Sequence, residues 1–131
     1  MANFVVKGRP ASVQSSHGNK VNWTSKVRSA AAAKFSSPLN GNDLRIRITF
    51  FYNTLPDFDT DNVSKPICDA LNGVAYIDDH QLGARLAYRK NINGSYHIEG
   101  ANPDLAGAIA EGEDFVYIEV DQTDATEAGT L

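Results

Sequence analysis

Between Pro56 and Gln81 the chain sets Asp57, Asp59, Asp61, Asp69, Asp78 and Asp79 around one lysine, Lys65. Carboxylates this crowded repel one another unless a cation, a proton or a lysine offsets their charge. They make a poor core and a good set of oxygen donors for a hard divalent cation.

Three readings compete for the cluster. An EF-hand calcium loop counted from Asp57 needs Gly at its sixth place, where Asn62 stands, and Glu at its twelfth, where Cys68 stands, so it fails. Helix capping accounts for one or two of the acids, because free backbone N–H groups and the helix dipole favour Asp at an N-terminus. It does not reach Asp78 and Asp79. A metal site uses more of the pattern: in an extended segment Asp59 and Asp61 point the same way, and Asp78 or Asp79 supplies a facing ligand. If that second segment is extended, one of its pair must point away. All-oxygen ligation suits Mg²⁺ or Mn²⁺, which lowers the pKa of bound water and stabilises charge on a phosphodiester. Lys65 either holds a phosphate or forms a surface pair with Asp61 or Asp69. His80, beside Asp79, is a ligand, a proton shuttle or, more commonly for such a histidine, a bystander.

The elements that must position these residues are legible in the periodicity. Phe4-Val5-Val6 reads as a short strand ended by Gly8-Arg9-Pro10, and residues 11–20 as a loop. Trp23, Val27, Ala30, Ala31 and Lys34 recur at helical spacing, which predicts a helix from Asn22 to Lys34 capped by Asn22. Leu44 to Phe51 alternates as a half-buried strand, with Leu44, Ile46, Ile48 and Phe50 on one face and Arg45, Arg47 and Thr49 on the other. Asn62 to Asn72 predicts a second helix. Its apolar stripe is Val63, Ile67, Ala70 and Leu71, opposite a polar stripe of Asp61, Lys65, Asp69 and Asn72, with Pro66 in or just after the first turn and Gly73 as the stop. Gln81 to Lys90 reads as a strand paired near Ser95 to Glu99, Asn102-Pro103 as the start of a short helix to Ala110, and Phe115 to Val120 as the last strand. The expected fold is a single α+β domain over residues 1–120, a mixed sheet with two main helices, followed by a disordered acidic tail at 121–131.

Asp59-x-Asp61-Asn62-x-x-Lys65, Asp69-Ala70-Leu71-Asn72-Gly73 and Asp78-Asp79-x-Gln81 together resemble the core motif of the RusA family of Holliday-junction resolvases. The likeness is dense across residues 56–82, and Gly8-Arg9-Pro10 is similar more weakly. It implies a RusA-like fold and a Mg²⁺-dependent endonuclease, with Mn²⁺ as a substitute, that cuts four-way junction DNA symmetrically as a homodimer in recombination and repair. By position it implies Asp59, Asp61 and Asp79 as metal-binding catalytic carboxylates, Asp78 beside them, and Lys65 as the essential lysine.

Composition bounds the alternatives. The net charge is -4, yet all 12 Lys and Arg fall in residues 1–90, while residues 91–131 hold nine acids and no Lys or Arg. That asymmetry suggests a basic surface for a polyanion beside an acidic C-terminal part, or an ordinary solvated surface with a solubilising tail. Lys7, Arg9, Arg45, Arg47, Arg85 and Arg89, with Lys90, are the candidate DNA contacts, and such binding weakens steeply with salt. Trp23 and Phe50-Phe51-Tyr52 fit core packing better than base stacking. The one cysteine, Cys68, excludes an internal disulfide and a cysteine zinc site and reads as inert packing. No apolar run spans a membrane or forms a signal peptide, which predicts a cytoplasmic protein. Two other classes stay open: a DNA-junction binder without catalysis, and a metal-dependent nuclease for another nucleic-acid structure.

Overall fold

The structure is a computed structural model that describes residues 2–56, 59–94 and 102–122. Its elements in order are β1 (Ala2–Lys7), α1 (His17–Ala32), β2 (Leu44–Tyr52), α2 (Thr60–Ala70), β3 (Leu82–Asn91), α3 (Pro103–Glu111) and β4 (Phe115–Gln122). A 3₁₀ turn, Asp79–Gln81, leads into β3. The fold is α+β, one mixed four-stranded sheet in the order β1-β4-β2-β3. No described helix is long and apolar enough to cross a membrane.

The alternation in β2 sets the layers. Leu44, Ile46, Ile48 and Phe50 are buried on one face with Val116, Ile118 and Val120 of β4 and Phe4 and Val6 of β1. Trp23, Val27 and Ala31 of α1 and Val63, Ile67, Cys68 and Ala70 of α2 close over them, joined by Leu71. On the other face, Phe51 and Phe115 stack at 4.6 Å and are covered by Leu105 and Ala108 of α3. Trp23, Phe50 and Phe51 are therefore core residues, as expected.

β2 and β3 are parallel, and a parallel pair cannot be joined by a tight turn, so α2 is the crossover. Ile67 is fully buried, and the stripe expected from spacing is the one that packs. Pro66 lies mid-helix, later than the sequence placed it, in or just after the first turn, because α2 begins at Thr60. A proline has no N–H to return to the carbonyl four residues back. That carbonyl, on Asn62, instead accepts the N–H of Val13 at 3.1 Å, which ties the loop before α1 to α2.

Other boundaries moved for local reasons. α1 begins at His17, ahead of the expected Asn22, because the Ser16 hydroxyl caps it by accepting the Asn19 N–H. α3 starts at Pro103 behind an Asn102 cap, as its sequence predicts. β4 continues through Gln122, so Asp121 and Gln122 belong to the sheet and not to the tail. Residues 123–131, the strand expected at Ser95 to Glu99, and Asp57 lie outside the described residues.

Pairing by register shows which charges share a face. Arg45 lies opposite Asp121 and Arg47 opposite Glu119 on the face away from α1 and α2. Burial pushes the Glu119 carboxyl up from its ordinary range; nearby Arg47 pulls it down and Asp121 adds to the rise. A carboxylate raised in the folded state favours folding while protonated, and that advantage is lost as pH rises through its folded pKa. Glu119→Gln should therefore raise the melting temperature at neutral pH, and the gain should fade in acid. A gain of the same size at both pH values, or none at neutral pH, would contradict this.

Candidate active site

The N-terminus of α2 is built around Asp59. Its backbone is extended and one carboxylate oxygen accepts the Asn62 N–H at 3.0 Å, so Asp59 is the N-cap. The capping reading thus holds for Asp59 and, against expectation, also for Asp78, whose carboxylate caps the 3₁₀ turn by accepting the Asp79 N–H at 2.8 Å. A carboxylate's second oxygen keeps its acceptor capacity. Asp61 is already in the first helical turn, so the two aspartates do not share the extended segment expected from the sequence. Asp59 lines a narrow cleft with Val63 and Arg89, whereas Asp61 opens onto a different space.

That second space is a groove of about 520 Å³ between α2 and β3, lined by Asp61, Ser64, Lys65 and Arg85 among others. The α2 wall follows from helical spacing: Asp61, Lys65 and Asp69 are four residues apart and lie on one stripe. Lys65 reaches Asp69 at 3.6 Å, the surface pair weighed from the sequence, and worth little in water. The β3 wall follows from register, which sets Arg85 opposite Ile46, Ala87 opposite Ile48 and Arg89 opposite Phe50. Directly paired residues share a face, so Arg85 and Arg89 lie on the helix-bearing side. The single DNA track expected from Arg45, Arg47, Arg85 and Arg89 is thus split between two faces of the sheet.

Arg85 also reaches the second half of the motif. Its guanidinium is 3.7 Å from the Asp79 carboxylate and donates to the Asp79 carbonyl at 3.4 Å. Burial raises the Asp79 carboxyl above its usual range, Arg85 opposes that, and the charges of Asp78 and Asp69 add to the rise. Asp78 moves the other way: its hydrogen bond to His80, at 2.7 Å, holds it low. His80 is thus a partner of Asp78 in this structure.

The Asp78-Asp79 turn is fixed by Gln81, which is buried. The Gln81 side-chain oxygen accepts the N–H groups of Ile77 and Asp78 at 2.8 and 2.9 Å. Its amide nitrogen donates to the carbonyls of Leu39 and Gly41 at 3.1 and 2.7 Å. Buried Tyr76 adds a second tether by donating its hydroxyl to the Cys68 carbonyl of α2 at 2.7 Å. Burial raises the Tyr76 pKa, which keeps it a neutral donor, and pushes the Cys68 thiol up to about 11, which keeps it inert. Gly73, at φ 81°, takes the left-handed turn just after α2, where the sequence placed the helix stop.

The outlying cations are engaged by acids from the C-terminal part. Lys7 pairs with Glu111 at 2.7 Å, Arg9 with Asp114 at 3.1 Å and Arg45 with Asp121 at 3.0 Å. The division of charge along the chain is therefore not a division in space. The sequence reading missed Tyr88, an exposed aromatic on the outer face with Arg47 and Lys90 about its ring at 5.9 and 6.0 Å. Its alternate position in β3 and the cations near it in sequence were the available signal.

The donor chemistry of Asp59, Asp61, Asp78 and Asp79 fits a hard divalent ion. Among the described residues, no three acidic, histidine or cysteine side chains are gathered closely enough to hold one. Lys65 and Arg85 supply the positive charge beside the acids instead.

Replacing Gln81 with Leu would strand two buried-side N–H groups and two carbonyls, and should cost about 2–4 kcal/mol of stability in urea unfolding. A loss below about 0.5 kcal/mol would show that the turn holds itself.

The family profile described as endodeoxyribonuclease RusA matches residues 5–99, which run from Val5 within β1 past the end of β3 and contain every acid of the motif. No curated protein sequence matches the chain.

Proposed function

This chain belongs to the endodeoxyribonuclease RusA family of junction-resolving nucleases, which generally use a divalent metal, and on that premise we propose a Mg²⁺-dependent Holliday-junction resolvase. It would cut two opposed strands symmetrically as a homodimer, in DNA recombination and repair. Two strands need two sites, and a two-fold dimer presents equivalent sites to a pseudo-symmetric junction. The supporting observation is the groove between α2 and β3, where Asp61, Lys65 and Arg85 meet and Arg85 extends to Asp79.

Asp59, Asp61 and Asp79 would hold the metal, with Asp78 beside them. Bound there, Mg²⁺ or Mn²⁺ supplies Lewis-acid stabilisation of the phosphodiester and a water acidic enough to attack it. Lys65 binds a phosphate oxygen and offsets the charge that grows on it. Gln81 holds the Asp78-Asp79 turn beside Arg85, and the hydrogen bond with His80 favours the ionised form of Asp78. Lys7, Arg9 and Arg45 can contact DNA by exchanging their acidic partners for phosphates, with Arg47, Arg85 and Arg89 as further contacts.

Asp59→Asn and Asp79→Asn should each lower junction cleavage by about 10³-fold or more while leaving junction binding within a few-fold, because a ligand is lost but the basic contacts stay. Gel-shift and cleavage assays on one four-way junction measure both. Full activity in either variant would remove that residue from the mechanism.

A further inference from the structure

The sequence pattern gave Arg85 no place among the acids, yet it is the cation closest to Asp79 in the described structure. The helix-bearing face of β3 reads Arg85, Ala87, Arg89. Ala87 is small and leaves the groove beneath α2 open beside Arg85, while Arg89 lines the neighbouring cleft with Asp59. An arginine on this face would ordinarily cost desolvation. β3 is the last strand in the sheet order, so the Arg85 side chain stays about half exposed and has room to swing. Its long contact of 3.7 Å to the carboxylate is an offset of charge and not a bidentate lock. Lys65, the other cation of the groove, is turned to Asp69.

We propose that Arg85 is a two-position residue. Without a divalent cation its guanidinium offsets Asp79; once Asp79 is taken up by the cation, Arg85 turns to a non-bridging oxygen of the phosphodiester in the same groove. The inference rests on the nuclease reading for its second position only. Arginine suits both partners, because its planar fork matches carboxylate and phosphate alike. Arg85 thus competes with the metal in the resting protein and assists the phosphate in the working one, two effects of opposite sign on metal binding and turnover.

The test is Arg85→Met beside Arg85→Lys. Mn²⁺ binding is followed by electron paramagnetic resonance without DNA, and single-turnover cleavage of a four-way junction is followed at saturating Mn²⁺. Removing one half-exposed unit charge should tighten Mn²⁺ binding by Arg85→Met about three- to ten-fold. Losing the phosphate contact should slow cleavage by about 10²-fold. Arg85→Lys, which keeps the charge without the fork, should bind Mn²⁺ within about two-fold of the parent and still cleave at least about ten-fold more slowly. Unchanged Mn²⁺ affinity in Arg85→Met overturns the resting position, and unchanged cleavage overturns the working one. Should Arg85→Met fail to fold, Arg85→Lys decides: parental cleavage by it overturns the proposal. If the parent binds Mn²⁺ but cuts no junction, the nuclease reading fails, and the Mn²⁺ comparison still decides the resting position.

Discussion

The burial of the α2 stripe against the parallel β2–β3 pair governs the working geometry of this protein. Each of Val63, Ile67 and Leu71 is buried, at about 1.5–3 kcal/mol apiece for a side chain of this size. That burial fixes the rotation of the helix, and rotation decides that Asp61, Lys65 and Asp69 face outward along one line. The same crossover brings the chain back to β3 through the Asp78-Asp79 turn, which sets Asp79 3.7 Å from Arg85, a residue of the groove that Asp61 and Lys65 also line. Pro66 would ordinarily weaken such a helix, and the Val13 N–H on the freed Asn62 carbonyl offsets part of that loss.

Along the motif, repulsion among acids is handled by pairing each with something different. Asp59 caps a helix, Asp69 meets Lys65, Asp79 meets Arg85, and Asp78 holds His80. Asp79 is pushed toward the neutral form, because burial and the charges of Asp78 and Asp69 act against the Arg85 guanidinium. A divalent cation would relieve that strain directly. The exposed pairs farther out, such as Lys7 with Glu111, add little to stability.

The periodic elements could be read from the sequence because their signals are local. The alternation of β2 and the stripe of α2 needed only the burial preferences of Leu44 to Phe51 and of Val63 to Leu71. The start of α1 was hidden because a serine cap outweighs a first turn with no apolar rhythm. The acids of the motif were legible as a set, but not their arrangement, since Asp59 and Asp61 straddle a helix boundary that changes where each points. Arg85 and Arg45 looked alike in sequence and lie on opposite faces, a distinction that needs the β2–β3 register. Similarly, the C-terminal acids read as a separate region until β4 is placed between β1 and β2.

The proposed activity depends most on the groove acting on branched DNA through a divalent metal. The most direct measurement is cleavage of an end-labelled synthetic four-way junction with Mg²⁺, beside a linear duplex of the same sequence and an EDTA control. Paired, metal-dependent nicks placed symmetrically at the junction and absent from the duplex are the predicted result. Tight junction binding with no cleavage in Mg²⁺ or Mn²⁺, or equal cutting of the linear duplex, would contradict it.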